Sequence, residues 1–115
     1  MSEKQLSCIY DALVTQKAPN TDDLTIEGPA VRAGEIVILD CFYIYDHTTA
    51  GKKVRLGIDR KGTICWFKQE PTATDVHGMA QNGKMILVDG EKPIGMIESP
   101  TTADVCYLVA RGVYL

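Results

Sequence analysis

From Glu35 onward the apolar residues fall into short period-two runs, separated by turns of Gly, Pro, Asp and Thr. Side chains that alternate in this way predict β-strands, with one face turned to a core. Residues 35–45 form the longest run. Simple alternation puts Ile36, Ile38, Phe42 and Ile44 on one face and Val37, Leu39, Cys41, Tyr43 and Tyr45 on the other, so both faces need covering. Val54, Leu56 and Ile58 alternate with Arg55, Gly57 and Asp59, which predicts one buried and one polar face. The step Asp59-Arg60-Lys61-Gly62 signals a tight hairpin, with residues 63–67 returning as the partner strand. Strands are also expected at 85–88, 94–97 and 105–115, joined by turns at 89–93 and 99–104.

The first part of the chain carries a mixed signal. Leu6, Ile9, Tyr10 and Leu13 fit a helical stripe behind a Ser2/Gln5 capping box, whereas Leu6, Cys8, Tyr10, Ala12 and Val14 alternate as in a strand. Because every later segment prefers strand, an extended first segment is expected. Residues 16–34 are rich in turn formers and read as a surface arm, and residues 69–83 read as a long loop. The domain organisation is then an N-terminal arm with a first strand over 1–34 and a sandwich core over 35–115, forming one domain. With about seven or eight strands and no crossover helices, the expected fold is all-β, an antiparallel β-sandwich of jelly-roll type.

Size and charge narrow the function classes. The 115 residues are enough for one core, and the net charge of −3 argues against a nucleic-acid partner. Basic residues are dispersed except at Lys52-Lys53-Val54-Arg55 and Arg60-Lys61, too few for useful phosphate binding. No run approaches the roughly 20 apolar residues of a membrane span, and the start lacks a signal-peptide core, so folding in a cytosol is expected. Cys8, Cys41, Cys65 and Cys106 are too far apart for a C-x-x-C site, and Cys41, Cys65 and Cys106 sit in apolar runs, which predicts buried thiols. Disulfides stay open if the protein reaches an oxidising exterior.

No catalytic constellation emerges, so the chain is expected not to be an enzyme and to need no cofactor or metal. Thr49-Ala50-Gly51-Lys52-Lys53 lacks the first glycine and the final hydroxyl of a phosphate loop. His47 and His77 lie in turns, and a metal site there would need Asp46 or Asp75 to converge with them. Asp40 interrupts the longest strand and is expected as a rim or hydrogen-bonded carboxylate, and Asp104 as an acceptor for turn amides. The aromatic set Phe42, Tyr43, Tyr45, Trp66 and Phe67 suits core packing, an interface or a sugar-stacking platform.

Five stretches carry a resemblance: Pro29-Ala30-Val31-Arg32-Ala33-Gly34-Glu35, Val54-Arg55-Leu56-Gly57-Ile58, Gly90-Glu91-Lys92-Pro93-Ile94-Gly95, Asp104-Val105-Cys106-Tyr107-Leu108 and Arg111-Gly112-Val113-Tyr114-Leu115. In this order they resemble small jelly-roll-like structural proteins of tailed bacteriophage particles, including head decoration and tail or head-tail accessory proteins. The resemblance implies a virion structural protein, above all a capsid decoration or cement subunit. Its partners would be the major capsid protein or tail and portal proteins, and it would be a homo-oligomer, a trimer among the options. It would be assembled in the host cytoplasm and carried in the virion. Tyr43, Tyr45, Trp66, His77, Tyr114 and Leu115 are the candidate interface residues. A head-tail or tail accessory role, or a carbohydrate-binding module built on Trp66 and the 69–83 loop, are the alternatives.

Overall fold

The structure, a computed structural model, describes residues 8–71 and 76–115. The Ser2/Gln5 cap and residues 72–75 of the expected loop lie outside the described residues. Nine strands and no helix are found among those described: β1 (Ile9–Lys17), β2 (Leu24–Glu27), β3 (Ile36–Asp46), β4 (Lys53–Arg60), β5 (Thr63–Pro71), β6 (Gly78–Ala80), β7 (Met85–Val88), β8 (Lys92–Ile97) and β9 (Val105–Tyr114). They form two antiparallel sheets packed as a sandwich. Sheet A has the order β1-β9-β3-β6, with β7 also on the outer edge of β3, and sheet B has the order β2-β8-β4-β5.

The pairings are nested. β1 pairs with β9, β2 with β8, β3 with β6 and β7, and β4 with β5, so the chain doubles back at Lys61-Gly62. Both turn residues have positive φ, 54° and 100°, and the Gly62 amide donates to Asp59 Oδ1 at 2.8 Å. That is the geometry a two-residue hairpin requires, and it explains the Lys-Gly step. Of residues 1–34, expected as an arm with a first strand, the described part from 8 onward supplies one strand to each sheet. β1 runs for nine residues along β9, and β2 joins β8.

The longest strand differs from its simple alternation. Leu39 pairs with Gly112 and Cys41 with Arg111, which leaves Asp40 as the extra residue of a β-bulge. The bulge shifts the pleat by one. Val37 and Leu39 before it, and Phe42, Ile44 and Asp46 after it, all face inward and are buried. Ile36, Ile38, Cys41, Tyr43 and Tyr45 face outward. A β-carbon on Gly112 would stand 2.0 Å from the Ile38 carbonyl oxygen, so this position of β9 must be glycine.

From sheet A, Tyr10, Ala12, Leu87, Cys106, Leu108 and Ala110 complete the inner layer, opposite Ile26, Val54, Leu56, Ile58 and Ile97 of sheet B. Burying each large aliphatic side chain contributes about 1.5–3 kcal/mol. Gly95 lets the sheets approach, since a β-carbon there would lie 2.7 Å from Ile44 Cδ1 and 3.0 Å from Leu108 Cδ1.

Candidate interaction surface

Because β1, β9 and β3 are long and their inner positions are filled, their alternate residues form one outward face on sheet A. The register sets Leu13, Val109, Tyr43 and Ala80 in one row and Ile9, Val113, Ile38 and Ile86 in another. Between these rows lie Asp11, Arg111 and Cys41. Several of the apolar side chains are open to solvent: Leu13 is 67% exposed, Ile9 61%, Ile86 59% and Val113 45%.

One end of this face is aromatic. Tyr45 lies 5.5 Å from His77, 6.1 Å from His47 and 6.4 Å from Tyr107, measured between ring centroids. Leu13, Tyr43, Tyr45, His47, Tyr107 and Val109 line an open depression of about 330 Å³. The tyrosine hydroxyls of Tyr43, Tyr45 and Tyr107 make no hydrogen bond among the described residues. Asp11 and Arg111, 3.0 Å apart, are the ion pair of the face.

The aromatic end is held by a buried knot of carboxyl groups. Asp46 Oδ1 accepts from the Thr48 and Thr49 amides at 3.1 and 3.0 Å. Asp104 accepts from Thr49 Oγ1 at 2.8 Å and from the Thr101 amide at 3.0 Å. Among the described residues no N–H or hydroxyl reaches Asp46 Oδ2, and the carboxyl group that acts on it is that of Asp104. A proton held on Asp46 and directed at the Asp104 carboxylate accounts for the opposite shifts of the two groups. Burial pushes Asp46 up to about 6, and its bond with Asp104 adds to the shift. For Asp104 burial opposes charge, but the bonds from Asp46, Thr49 and Thr101 outweigh it and hold the carboxyl below its ordinary value.

This knot sets the neighbouring loops. The Asp46 amide donates to the His77 carbonyl at 2.8 Å, His77 Nδ1 lies 2.7 Å from the Asp46 carbonyl, and the His47 amide donates to the Val105 carbonyl. Both histidines are thereby fixed on either side of Tyr45. No cluster of three His, Cys, Asp or Glu side chains suited to a metal occurs among the described residues.

The six residues singled out from sequence occupy three places. Tyr43, Tyr45 and His77 converge on the sheet A face. Trp66 lies on the outer face of sheet B, opposite Gly57 in the register, with the Arg55 guanidinium 5.9 Å from its ring. Tyr114 packs inward against Tyr10, with Arg32 3.7 Å above its ring and the Arg32 amide donating to its hydroxyl at 3.2 Å. Leu115, 73% exposed, ends the chain where its amide donates to the Ile36 carbonyl. Sequence reasoning passed over Leu13, Tyr107, Val109 and Val113, although the alternation of Val105, Tyr107, Val109, Arg111 and Val113 was there to be read.

The carboxylates and thiols also sort out. Asp40 is exposed at its bulge, and Asp104 does accept the turn amide of Thr101. Of the three thiols expected to be buried, Cys106 is, Cys41 is half-buried on the outer face and Cys65 is exposed. Cys65 is on an edge strand, where an apolar run does not ensure cover. All four cysteines are free, and burial, with the charges of Asp46 and Asp104, pushes the Cys106 thiol up to about 12.

No protein-family model matches the chain, and no curated protein matches it either. Among solved structures, a stretch of dimeric latent PorU from Porphyromonas gingivalis is similar at 13% identity with a TM-score of 0.36. The match covers 97% of this chain and 14% of the PorU chain.

Proposed function

We propose that this protein is a virion structural subunit of the decoration or accessory kind, working through protein-protein contacts, and that its sandwich is a jelly roll. The observation that carries the functional reading is the wide outward face of sheet A. Monomeric soluble proteins rarely expose contiguous apolar patches beyond a few hundred Å². On this face Ile9, Leu13, Ile36, Ile86, Val88 and Val113 are each between 41% and 67% exposed. Such a face is suited to being covered by protein.

The nested pairings support the jelly-roll reading. An antiparallel ribbon closed at Lys61-Gly62, with successive pairs laid alternately in two sheets, gives β1-β9-β3-β6/β7 against β2-β8-β4-β5. With β6 and β7 counted as one interrupted strand, this order supports reading the sandwich as the eight-strand, double Greek key arrangement met in viral capsid domains and lectins. The order describes a scaffold that serves several functions, so the role in the particle rests on the exposed face and on the resemblance of the sequence.

The test is the copy number of the chain in purified particles, by quantitative mass spectrometry against the major capsid protein. Hundreds of copies are expected for a decoration subunit; a few dozen or fewer place it at the portal or tail. Absence from the particles overturns the reading.

A carbohydrate-binding role has one specific observation in its favour, the cluster of Tyr45, His47 and Tyr107 rings. It no longer involves Trp66, which Arg55 overlies. Retention on a glycan array, lost in Tyr45→Ala with the fold intact, would select it.

A further inference from the structure

We propose that the free edge of β1 takes up an extended segment of a partner protein, which joins sheet A as a further antiparallel strand with an apolar residue opposite Leu13 and an acidic residue opposite Lys17. The proposal rests on reading this protein as one that works through protein contacts. It adds where such a contact is made and what kind of segment makes it.

The backbone is the first argument. The Tyr114 amide donates to the Cys8 carbonyl at one end of the β1 and β9 pairing, and the Ala18 amide donates to the Asp104 carbonyl at the other. The register between these points runs without a shift, so the even-numbered residues of β1 are the ones that exchange bonds with β9. The amides and carbonyls of Asp11, Leu13, Thr15 and Lys17 therefore point away from β9, on the side where β1 ends the sheet. No backbone group among the described residues bonds them there. They form a row of open donors and acceptors of the kind that pairs with another strand.

The other three edges of the sandwich are blunted. β2 has four residues, and β6 and β7 divide their edge into pieces of three and four. β5 is long, but Leu56 pairs with Lys68 and Gly57 with Trp66, so that Phe67 is the extra residue of a bulge that breaks its course. Short strands and bulges are the devices that keep an edge from pairing, and β1 has neither. It runs for nine residues with no bulge, proline or glycine. Its charges guard it little, since Asp11 is committed to Arg111 of β9 at 3.0 Å and Lys17 stands at the strand end.

The side chains along the edge specify the occupant. In strand addition the main chain supplies affinity and alternate side chains supply specificity. Leu13 is 67% exposed, so an apolar residue directly opposite covers it. Lys17 is exposed and makes no ion pair among the described residues, so an acidic residue opposite it is favoured. Antiparallel addition continues the pairing that β1 already has with β9. A second copy fits these positions less well. Two β1 strands paired about Leu13 would set Lys17 beside Ile9 and Asp11 beside Thr15, with no charge across from Lys17.

The experiment takes the full chain and an end-blocked synthetic peptide matched to positions 11–17, built of valine and threonine with isoleucine opposite Leu13 and glutamate opposite Lys17. Amide hydrogen exchange followed by NMR is the readout. In the chain alone the amides of Leu13 and Thr15 should exchange at least about tenfold faster than those of Ala12 and Val14, and the peptide should remove that difference. Methylating the peptide nitrogens that face β1 should abolish the protection, and methylating the alternate nitrogens should leave it. Lysine in place of the glutamate should weaken binding about two- to fivefold. Leu13→Pro should keep the fold, because the N–H it loses points to solvent, and should no longer bind the peptide. Should that variant not fold, the methylated peptides decide on the unaltered chain.

Unchanged exchange at millimolar peptide overturns the proposal. So does protection that the two methylated peptides confer equally. Protection of the same amides on raising the concentration of the chain alone gives the edge to a second copy, which also overturns it. A chain abundant in purified particles whose edge the peptide does not protect overturns only this proposal and leaves the virion reading standing. A chain that binds the peptide and is absent from particles does the reverse.

Discussion

The two outer faces of the sandwich solve the same problem in opposite ways. Sheet B ties its outward side chains to one another: Arg55 pairs with Glu98 at 2.8 Å and overlies Trp66, and Lys92 reaches Glu27 at 3.3 Å. Among the described residues the outward strand positions of sheet A hold one such pair, Asp11 with Arg111, set among Leu13, Val109, Tyr43 and Ile38. A face finished with ion pairs is suited to water, and one finished with isoleucine, valine and tyrosine is suited to protein. The difference also shows why a β-strand pattern cannot be read for function one strand at a time. The polar positions of β4 and the apolar outward positions of β3 gain meaning only beside their neighbours in the sheet.

Both sheets carry a bulge faced by a glycine, and exchanging that glycine is the strongest way to break the comparison. A β-carbon at Gly112 would meet only backbone, with the Ile38 oxygen at 2.0 Å and Leu39 Cα at 2.7 Å. At Gly57 the nearest atoms are the Cys65 carbonyl oxygen at 2.6 Å and Trp66 Cε3 at 2.8 Å, and the latter belongs to a side chain that can shift. Gly112→Ala should cost about 3 kcal/mol or more and expose the outer rows of sheet A to mispairing, while Gly57→Ala should cost about 1–3 kcal/mol. Urea denaturation of both variants measures this, and equal losses would show that the two bulges tolerate crowding alike.

The bulge also marks where sequence reading stopped. The strand rhythm, the Lys61-Gly62 hairpin and the all-β class are visible because they depend on neighbours in the chain. Asp40 inside an apolar run has no local property that identifies it as the extra residue. Reading straight through it put Phe42 and Ile44 on the same side as Ile36 and Ile38, whereas they join Val37 and Leu39 in the core. Trp66 parted from Tyr45 for a similar reason, since the sheet to which a strand belongs is fixed by partners far along the chain. The Asp46-Asp104 knot was hidden altogether, because its members are brought together only when β3 and β9 pair.

That knot predicts a pH dependence that belongs to the aromatic end of sheet A. Asp46 holds its proton up to about pH 6 when folded, against an ordinary carboxyl value near 3.8. Its contribution is complete below the ordinary value and is lost as pH rises through 6, because the unfolded chain has already released the proton. Asp104, lowered in the folded chain, contributes in the opposite sense, above its ordinary value. Stability should therefore peak near pH 4 and fall by about 1–3 kcal/mol toward neutrality, with no such fall in Asp46→Asn, whose amide donates to Asp104 at every pH. Thermal unfolding of both proteins between pH 4 and 8 tests this. A flat profile for the parent chain would show that the two carboxyl groups do not share a proton.

The smallest expected effect concerns sheet B and sets a baseline for the other face. Arg55 and Glu98 are about one-quarter exposed, and Arg55 is held by more than its partner, since it also overlies Trp66. Neutralising the pair with Glu98→Gln removes a partly solvated attraction while the amide oxygen still accepts from the guanidinium. The expected loss is about 0.5 kcal/mol, shrinking further in high salt. Denaturation in low and high salt measures both. A loss of about 2 kcal/mol would mean that Arg55, whose Nε is buried without a partner among the described residues, depends on Glu98 as a buried ion would, and sheet B would then be held by its charges as firmly as by its packing.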